Sequence, residues 1–119
     1  MKELQGTEKQ IKWAEDIRKN WNDELALVVR TTQVLIGIRV QYKKHYDFIL
    51  ESVVELKNKL NDVESASKII SMREKEANSM LYTTMRVKDE NIADFVTSSL
   101  QYDMNNVRYG SMEAYNYTN

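Results

Sequence analysis

His45 is the only histidine of a chain that has no cysteine, and it stands in the run K-K-H-Y from Lys43 to Tyr46. An imidazole can serve as a general base, but nucleophilic catalysis also requires an activated nucleophile and a group that orients the base. Neither accompanies it, and its spacing sets it off the apolar line of its helix, so a surface position is expected. On the same stretch Asp47, Glu51 and Glu55 recur every four residues. Such a row could hold a divalent cation through oxygen ligands. Lys43 and Lys59 continue the row at its two ends, however, and turn it into an ion-pair ladder. The Glu-x-x-His pattern of di-iron bundles is missing. Without cysteine there are no disulfides, thiolate zinc sites or thiol catalysis. No phosphate loop, dinucleotide fingerprint, serine elbow or paired metal histidines occur either. No catalytic residue, metal or cofactor is predicted, and the chain reads as non-enzymatic.

The elements that would carry these residues are helical. Proline is absent and glycine occurs only at positions 6, 37 and 110, so the hairpins of a sheet lack their turn residues. With 119 residues, 42% of them apolar, one domain with a modest core is expected. Thr7 and Gln10 form a capping box, which predicts a helix from about Glu8. From Trp21 a line of residues advances by fours and threes through Leu25, Val28, Thr32, Leu35, Arg39, Tyr42, Tyr46, Ile49, Val53, Leu56, Leu60 and Val63. That is a heptad seam.

The run V-V-R-T-T-Q-V-L-I-G-I-R-V within it is rich in β-branched residues and alone would suit a strand. It alternates poorly and no turn flanks it, so the helix is kept. Unbroken from Glu8 to Leu60, such a helix would be about 80 Å long at ~1.5 Å per residue. A break is therefore expected at N-W-N-D, with Asn22 or Asp23 as the next cap. Asn61 with Glu64 signals a further turn. Val63, Ala66, Ile70, Ala77, Met80, Leu81, Thr84 and Val87 then share one face. K-D-E-N interrupts, and Ile92, Phe95, Val96, Ser99, Leu100 and Met104 form a last amphipathic stretch. The predicted fold is all-α, with three or four helices in an elongated bundle or helical hairpin and one long central helix carrying the seam. Residues 1–106 make the single helical domain and 107–119 a flexible C-terminal tail.

Two polar residues, Thr32 and Arg39, stand on the seam. A buried arginine needs a carboxylate or an aromatic face, and its partner then helps to fix which helix packs where. The alternative is that Arg39 reaches a wet edge. Seventeen basic side chains against eighteen acidic ones leave no electrostatic footprint for nucleic acid. Lys9, Lys12, Arg18 and Lys19 gather near Trp13, but Glu8, Glu15 and Asp16 are interleaved with them and repel phosphate. Residues 1–44 carry nine basic and six acidic side chains and the remainder eight and twelve, a mild asymmetry that suits antiparallel packing or a polar partner. No apolar run reaches the ~18 residues of a membrane span, and the first residues lack the apolar core of a signal peptide. A soluble, intracellular protein is expected.

The segment L-Q-G-T-E-K-Q-I-K-W-A-E-D-I-R, from Leu4 to Arg18, resembles a segment of the form L-x-G-[ST]-x-K-Q-I-x-W-A-E-x-I-R in small proteins of bacteriophages and mobile elements of Gram-positive bacteria. Small phage proteins without catalytic motifs are often inhibitors of host defence, among them anti-CRISPR proteins, which typically occupy a nuclease surface. The resemblance implies a protein partner, such as a CRISPR effector nuclease, and a location in the cytoplasm of a bacterial host. The aromatic anchors expected for that partner are Trp13, Trp21, Tyr109, Tyr115 and Tyr117. Glu15, Asp16, Asp89, Glu90 and Asp94 are available to pair with basic residues of a nuclease. Trp13 lies off the apolar line among charged neighbours and is the first contact to test. Two other readings stay open: an assembly protein that forms homodimers or larger oligomers along the seam, and a weak nucleic-acid-binding accessory protein.

Overall fold

The computed structural model describes residues 2–109. Helix α1, Glu8–Val34, starts where the capping box places it. The Gln10 amide donates to Thr7 Oγ1 at 3.2 Å, and the Thr7 amide donates to Gln10 Oε1 at 3.0 Å. Two backbone donors at the helix start are satisfied in this way. Gly6 makes the approach to that cap possible. Its φ is 154°, and a Cβ there would meet Gln10 Oε1 at 3.0 Å and the Ala66 Cβ at 3.1 Å. Gly6→Ala is therefore expected to lower stability by about 1–3 kcal/mol. The measurement is urea unfolding, where the midpoint should fall while the slope stays unchanged.

The arm before the cap is fastened to the body. Leu4 is buried, and the Arg18 guanidinium donates to the carbonyl of Lys2 at 3.1 Å and to that of Val63. The Gln5 amide donates to the Glu64 carbonyl at 2.6 Å, and the Ala66 amide donates back to the Gln5 carbonyl at 2.9 Å. Leu4, Gly6, Thr7, Gln10, Ala14, Ile17 and Arg18 thus all have a packing or capping task in the opening segment.

Helix α1 does not break at Asn22 or Asp23. Asn22 donates to Asn61 Oδ1 at 3.1 Å, and Asp23 pairs with Lys19 at 2.8 Å on the exposed flank. The helix runs on through most of the β-branched stretch because Val28, Thr31 and Thr32 are buried there, and burial overrides local propensity. The chain turns instead at residues 35–38, with the Arg39 amide donating to the Leu35 carbonyl at 2.9 Å.

Helix α2, Val40–Lys44, and helix α3, Tyr46–Asn61, follow, with His45 between them. Helix α3 returns antiparallel to α1: Gln33 donates to the Tyr46 hydroxyl at 3.1 Å near one end, and the Asn22–Asn61 bond marks the other. The expected long central helix is therefore three helices, and the seam faces inward from all of them and from the turn at residues 35–38. Leu25, Val28, Leu35, Tyr42, Ile49, Val53, Leu56 and Leu60 are all buried.

Ser65, rather than Asn61, caps the next helix, its hydroxyl accepting from the Lys68 amide at 3.2 Å. Helices α4 (Ala66–Ser71), α5 (Ala77–Lys88), α6 (Glu90–Thr97) and α7 (Leu100–Arg108) complete the described residues. The fold is all-α but more finely divided than the three or four helices expected, since each turn after residue 60 ends a short helix. Helices α4 and α7 pack on α1, and α5 packs on α3 and α6.

Val87, expected on an apolar face, is 83% exposed, whereas Ile69 and Met85 are fully buried. Helix α7 crosses the expected boundary at residue 106: Val107 is buried and Arg108 pairs with Glu24. No helix among the described residues is long and apolar enough to cross a membrane.

Candidate partner-binding surface

Three stretches far apart in sequence, α1, the 72–76 loop and α7, meet beside the start of α5 around a cleft of about 330 Å³. Trp21 from α1 forms part of its wall. The side chain is 4% exposed, and its indole N–H donates to the Lys75 carbonyl at 3.0 Å. That bond holds the loop against α1. Glu24, one turn further along α1, binds Arg108 and so fixes the end of α7. Asn78 and Gln101 line the side opposite. Asn78 donates to Gln101 Oε1 at 2.9 Å, while its own Oδ1 is buried without a partner.

Arg73 also lines the cleft, and its guanidinium lies 5.4 Å from the centre of the Trp13 ring. A cation over an exposed indole is a modest attraction, worth roughly 0.5–1 kcal/mol. The guanidinium is also held by a bond from Arg73 Nη1 to the Ile70 carbonyl at 2.9 Å. Trp13 is 49% exposed, and Tyr109, directly after Arg108, is 74% exposed. The cleft therefore has a tryptophan stacked with an arginine beside one wall and an ion-paired arginine followed by a tyrosine at another.

The sequence-predicted contact residues do not form one surface. Trp13 is linked to this cleft through Arg73, and Tyr109 follows Arg108, which lines it. Trp21, expected as a partner anchor, belongs instead to the core, and its one donor is engaged within the fold. Glu15 lies on another flank of α1, where it shares a pocket with Leu4, Ile11 and Arg18, and Asp16 is exposed.

Asp89 caps α6 by accepting from the Ile92 amide at 3.0 Å, Glu90 lies 3.6 Å from Arg86, and Asp94 accepts from the Tyr82 hydroxyl. Asp89 and Glu90 sit at one end of α5 and Arg73 before the other, about 18 Å apart along the helix at ~1.5 Å per residue, while Asp94 lies beside the middle of α5. Tyr115 and Tyr117 lie outside the described residues. Arg73, Lys75, Asn78, Gln101 and Arg108 went unmarked in the sequence, since no local pattern links them.

The basic group near Trp13 is also reduced. Arg18 is 3% exposed and has turned inward. Burial lowers its pKa from the ordinary value, and the charge of Glu15 acts in the opposite direction.

A second polar cluster lies in the interior, at the turn between α1 and α2. Arg39 donates from Nε to Asp103 Oδ2 at 3.0 Å and from Nη2 to Oδ1 at 2.7 Å. The Tyr42 hydroxyl donates to Oδ2 at 2.6 Å and the Ser99 hydroxyl to the same atom at 3.0 Å. Gln41 donates to Ser99 at 3.2 Å. Asp103 is fully buried.

Burial alone would raise the Asp103 pKa, but the hydrogen bonds from Arg39, Tyr42 and Ser99, with the Arg39 charge, outweigh it and leave the pKa below the ordinary value. Burial pushes the Tyr42 phenol upward, and the Asp103 bond adds to the rise. A carboxylate accepting four donors has little capacity left for a substrate or metal. The cluster orders α7 against the turn, which is the register-fixing task expected of Arg39.

His45 is half-buried and meets Phe95 edge-on at 6.0 Å. The expected carboxylate ladder is not formed as written: Glu55 reaches Lys88 on α5 at 3.4 Å, not Lys59. Among the described residues no three acidic or histidine side chains are grouped to hold a metal. The features that define this chain are thus an all-α body, a saturated interior cluster and a surface cleft beside an exposed aromatic–cation stack. No family model, curated protein or solved structure matches it.

Proposed function

We propose that this protein is a non-enzymatic inhibitor that binds a host defence nuclease and blocks it by occupying a functional surface. The observation that supports a protein-binding role is the Trp13–Arg73 stack beside the cleft. Tryptophan, arginine and tyrosine are the residue types most enriched where binding energy concentrates. Trp13 is also the member of the opening segment whose conspicuous exposure packing does not explain. The nuclease as target rests on the resemblance of that segment to small phage proteins. The acids of the α5–α6 corner, Asp89, Glu90 and Asp94, supply charge suited to a basic substrate surface. Assembly along the heptad seam is less favoured, because the seam is buried within a single chain.

The test is capture from a lysate of a Gram-positive host on immobilised protein, followed by a cleavage assay on whichever nuclease is retained. Trp13→Ala should weaken capture at least about 30-fold, the equivalent of ~2 kcal/mol. Its effect on folding stability should stay under about 1 kcal/mol. A captured nuclease that keeps full activity, or capture indifferent to Trp13, would rule the reading out.

A further inference from the structure

On a different face, α3 and α5 leave a groove between them. Two cavities of about 310 and 190 Å³ run along it and share Leu56, Lys59, Thr83 and Thr84. Leu56 and Met80 contribute apolar lining, and Val87 closes one end. From Ser79 to Val87 the wall formed by α5 is about 12 Å long at ~1.5 Å per residue, or two helical turns. Ser79, Thr83 and Thr84 are short, so a docked backbone can come close.

The charge around this groove has one sign in excess. Lys59, Lys75 and Lys88 border it, with Glu55 the one acid. Glu55 is taken by Lys88, whose ammonium also lies 4.8 Å from the centre of the Phe48 ring. Lys59 and Lys75 make no ion pair among the described residues. The cross-helix bond of Glu55 thus leaves Lys59 without the carboxylate that its own helix places one turn before it.

We propose that the groove docks an acidic amphipathic helix of another protein. Apolar side chains at i, i+3 or i+4, and i+7 span about the length of the groove. Carboxylates beside them would meet Lys59 and Lys75. The partner is a helix because the walls offer no open strand edge to which an extended peptide could add. This site does not depend on the Trp13 cleft, although Lys75 borders both.

The experiment is fluorescence anisotropy with a labelled synthetic helical peptide of roughly four turns, carrying leucine at i, i+3, i+4 and i+7 and flanking glutamates. A second peptide has lysine at each glutamate. The acidic peptide should bind at least about tenfold more tightly than the basic one, and salt should narrow the difference. Lys59→Glu should weaken acidic-peptide binding about tenfold, and Thr83→Trp, which fills the groove and leaves every lysine in place, should abolish it. Trp13→Ala should leave it unchanged, which separates this site from the proposed nuclease contact. Lys59 and Thr83 are exposed, so circular dichroism should show both variants folded. Equal binding of the two peptides, binding of neither, or indifference to Thr83→Trp would overturn the proposal. So would sedimentation with phosphatidylglycerol vesicles in place of peptide binding, which would make the face a membrane contact.

Discussion

Asp103→Ala is expected to remove about 3–5 kcal/mol of folding stability, the range for breaking a buried ion pair on one side. The loss is a large share of the ~5–15 kcal/mol that holds a typical domain together. Alanine strips the acceptor from Arg39, Tyr42 and Ser99 together, and Arg39 is left partly buried with its charge unbalanced. Urea unfolding reads the loss directly. Arg39→Ala should be costly too, and the double variant should lose clearly less than the sum of the single losses, because the two residues act as one unit. Simple additivity would show that they do not.

The same carboxylate predicts a pH dependence. Its folded pKa lies below its unfolded one, so its stabilising contribution is complete above the ordinary aspartate value of about 3.9. The contribution is lost as pH falls through the lower folded value. Asp103→Ala should therefore flatten the acid limb of a plot of urea midpoint against pH.

Trp21→Ala should cost about 3–5 kcal/mol, as for other large aromatic side chains removed from a core. It opens a cavity behind the cleft and leaves the Lys75 carbonyl without its donor, which adds to the loss. Trp21→Phe, which restores most of the ring but no N–H, should recover much of the stability. The contrast with Trp13 is the informative part: two tryptophans eight positions apart on one helix, one a core residue and one at the surface. Collisional quenching by iodide separates them without any partner. The fluorescence of Trp13→Phe, which reports Trp21, should be shielded, and that of Trp21→Phe should be quenched readily. Equal quenching would mean that the 72–76 loop does not cover Trp21 in solution.

Local features could be read from the sequence. The capping box of Thr7 and Gln10 lies within four residues, so nothing distant can displace it. The inward direction of the seam was legible too, because the step of three and four residues continues in phase across the turn. The reversal itself was not. The break avoids the cap-like Asn22 and Asp23, and Gly37 within the turn carries no positive φ. Tertiary burial of Val28, Thr31 and Thr32 decides how far α1 runs.

Asp103 did leave a signal: an acid flanked by Leu100, Met104 and Val107, on the apolar side of its helix, has to be neutralised by something. Arg39, on the seam, was the matching cation, but no local rule joins them. The cleft left no comparable trace, since its walls come from three stretches that only the complete fold brings together.

The link between Arg39 and Asp103 spans 64 positions, which has a consequence for the growing chain. Synthesis proceeds from the N-terminus, and elements become available in that order. When α1, α2 and α3 have been made, the Asp103 carboxylate that Arg39 and Tyr42 donate to and the Ser99 hydroxyl that Gln41 donates to have yet to be added. The α1–α2 corner therefore cannot close before α7 has been made. Helix α7 acts as the latch of the fold, and a chain that stops before Asp103 lacks it.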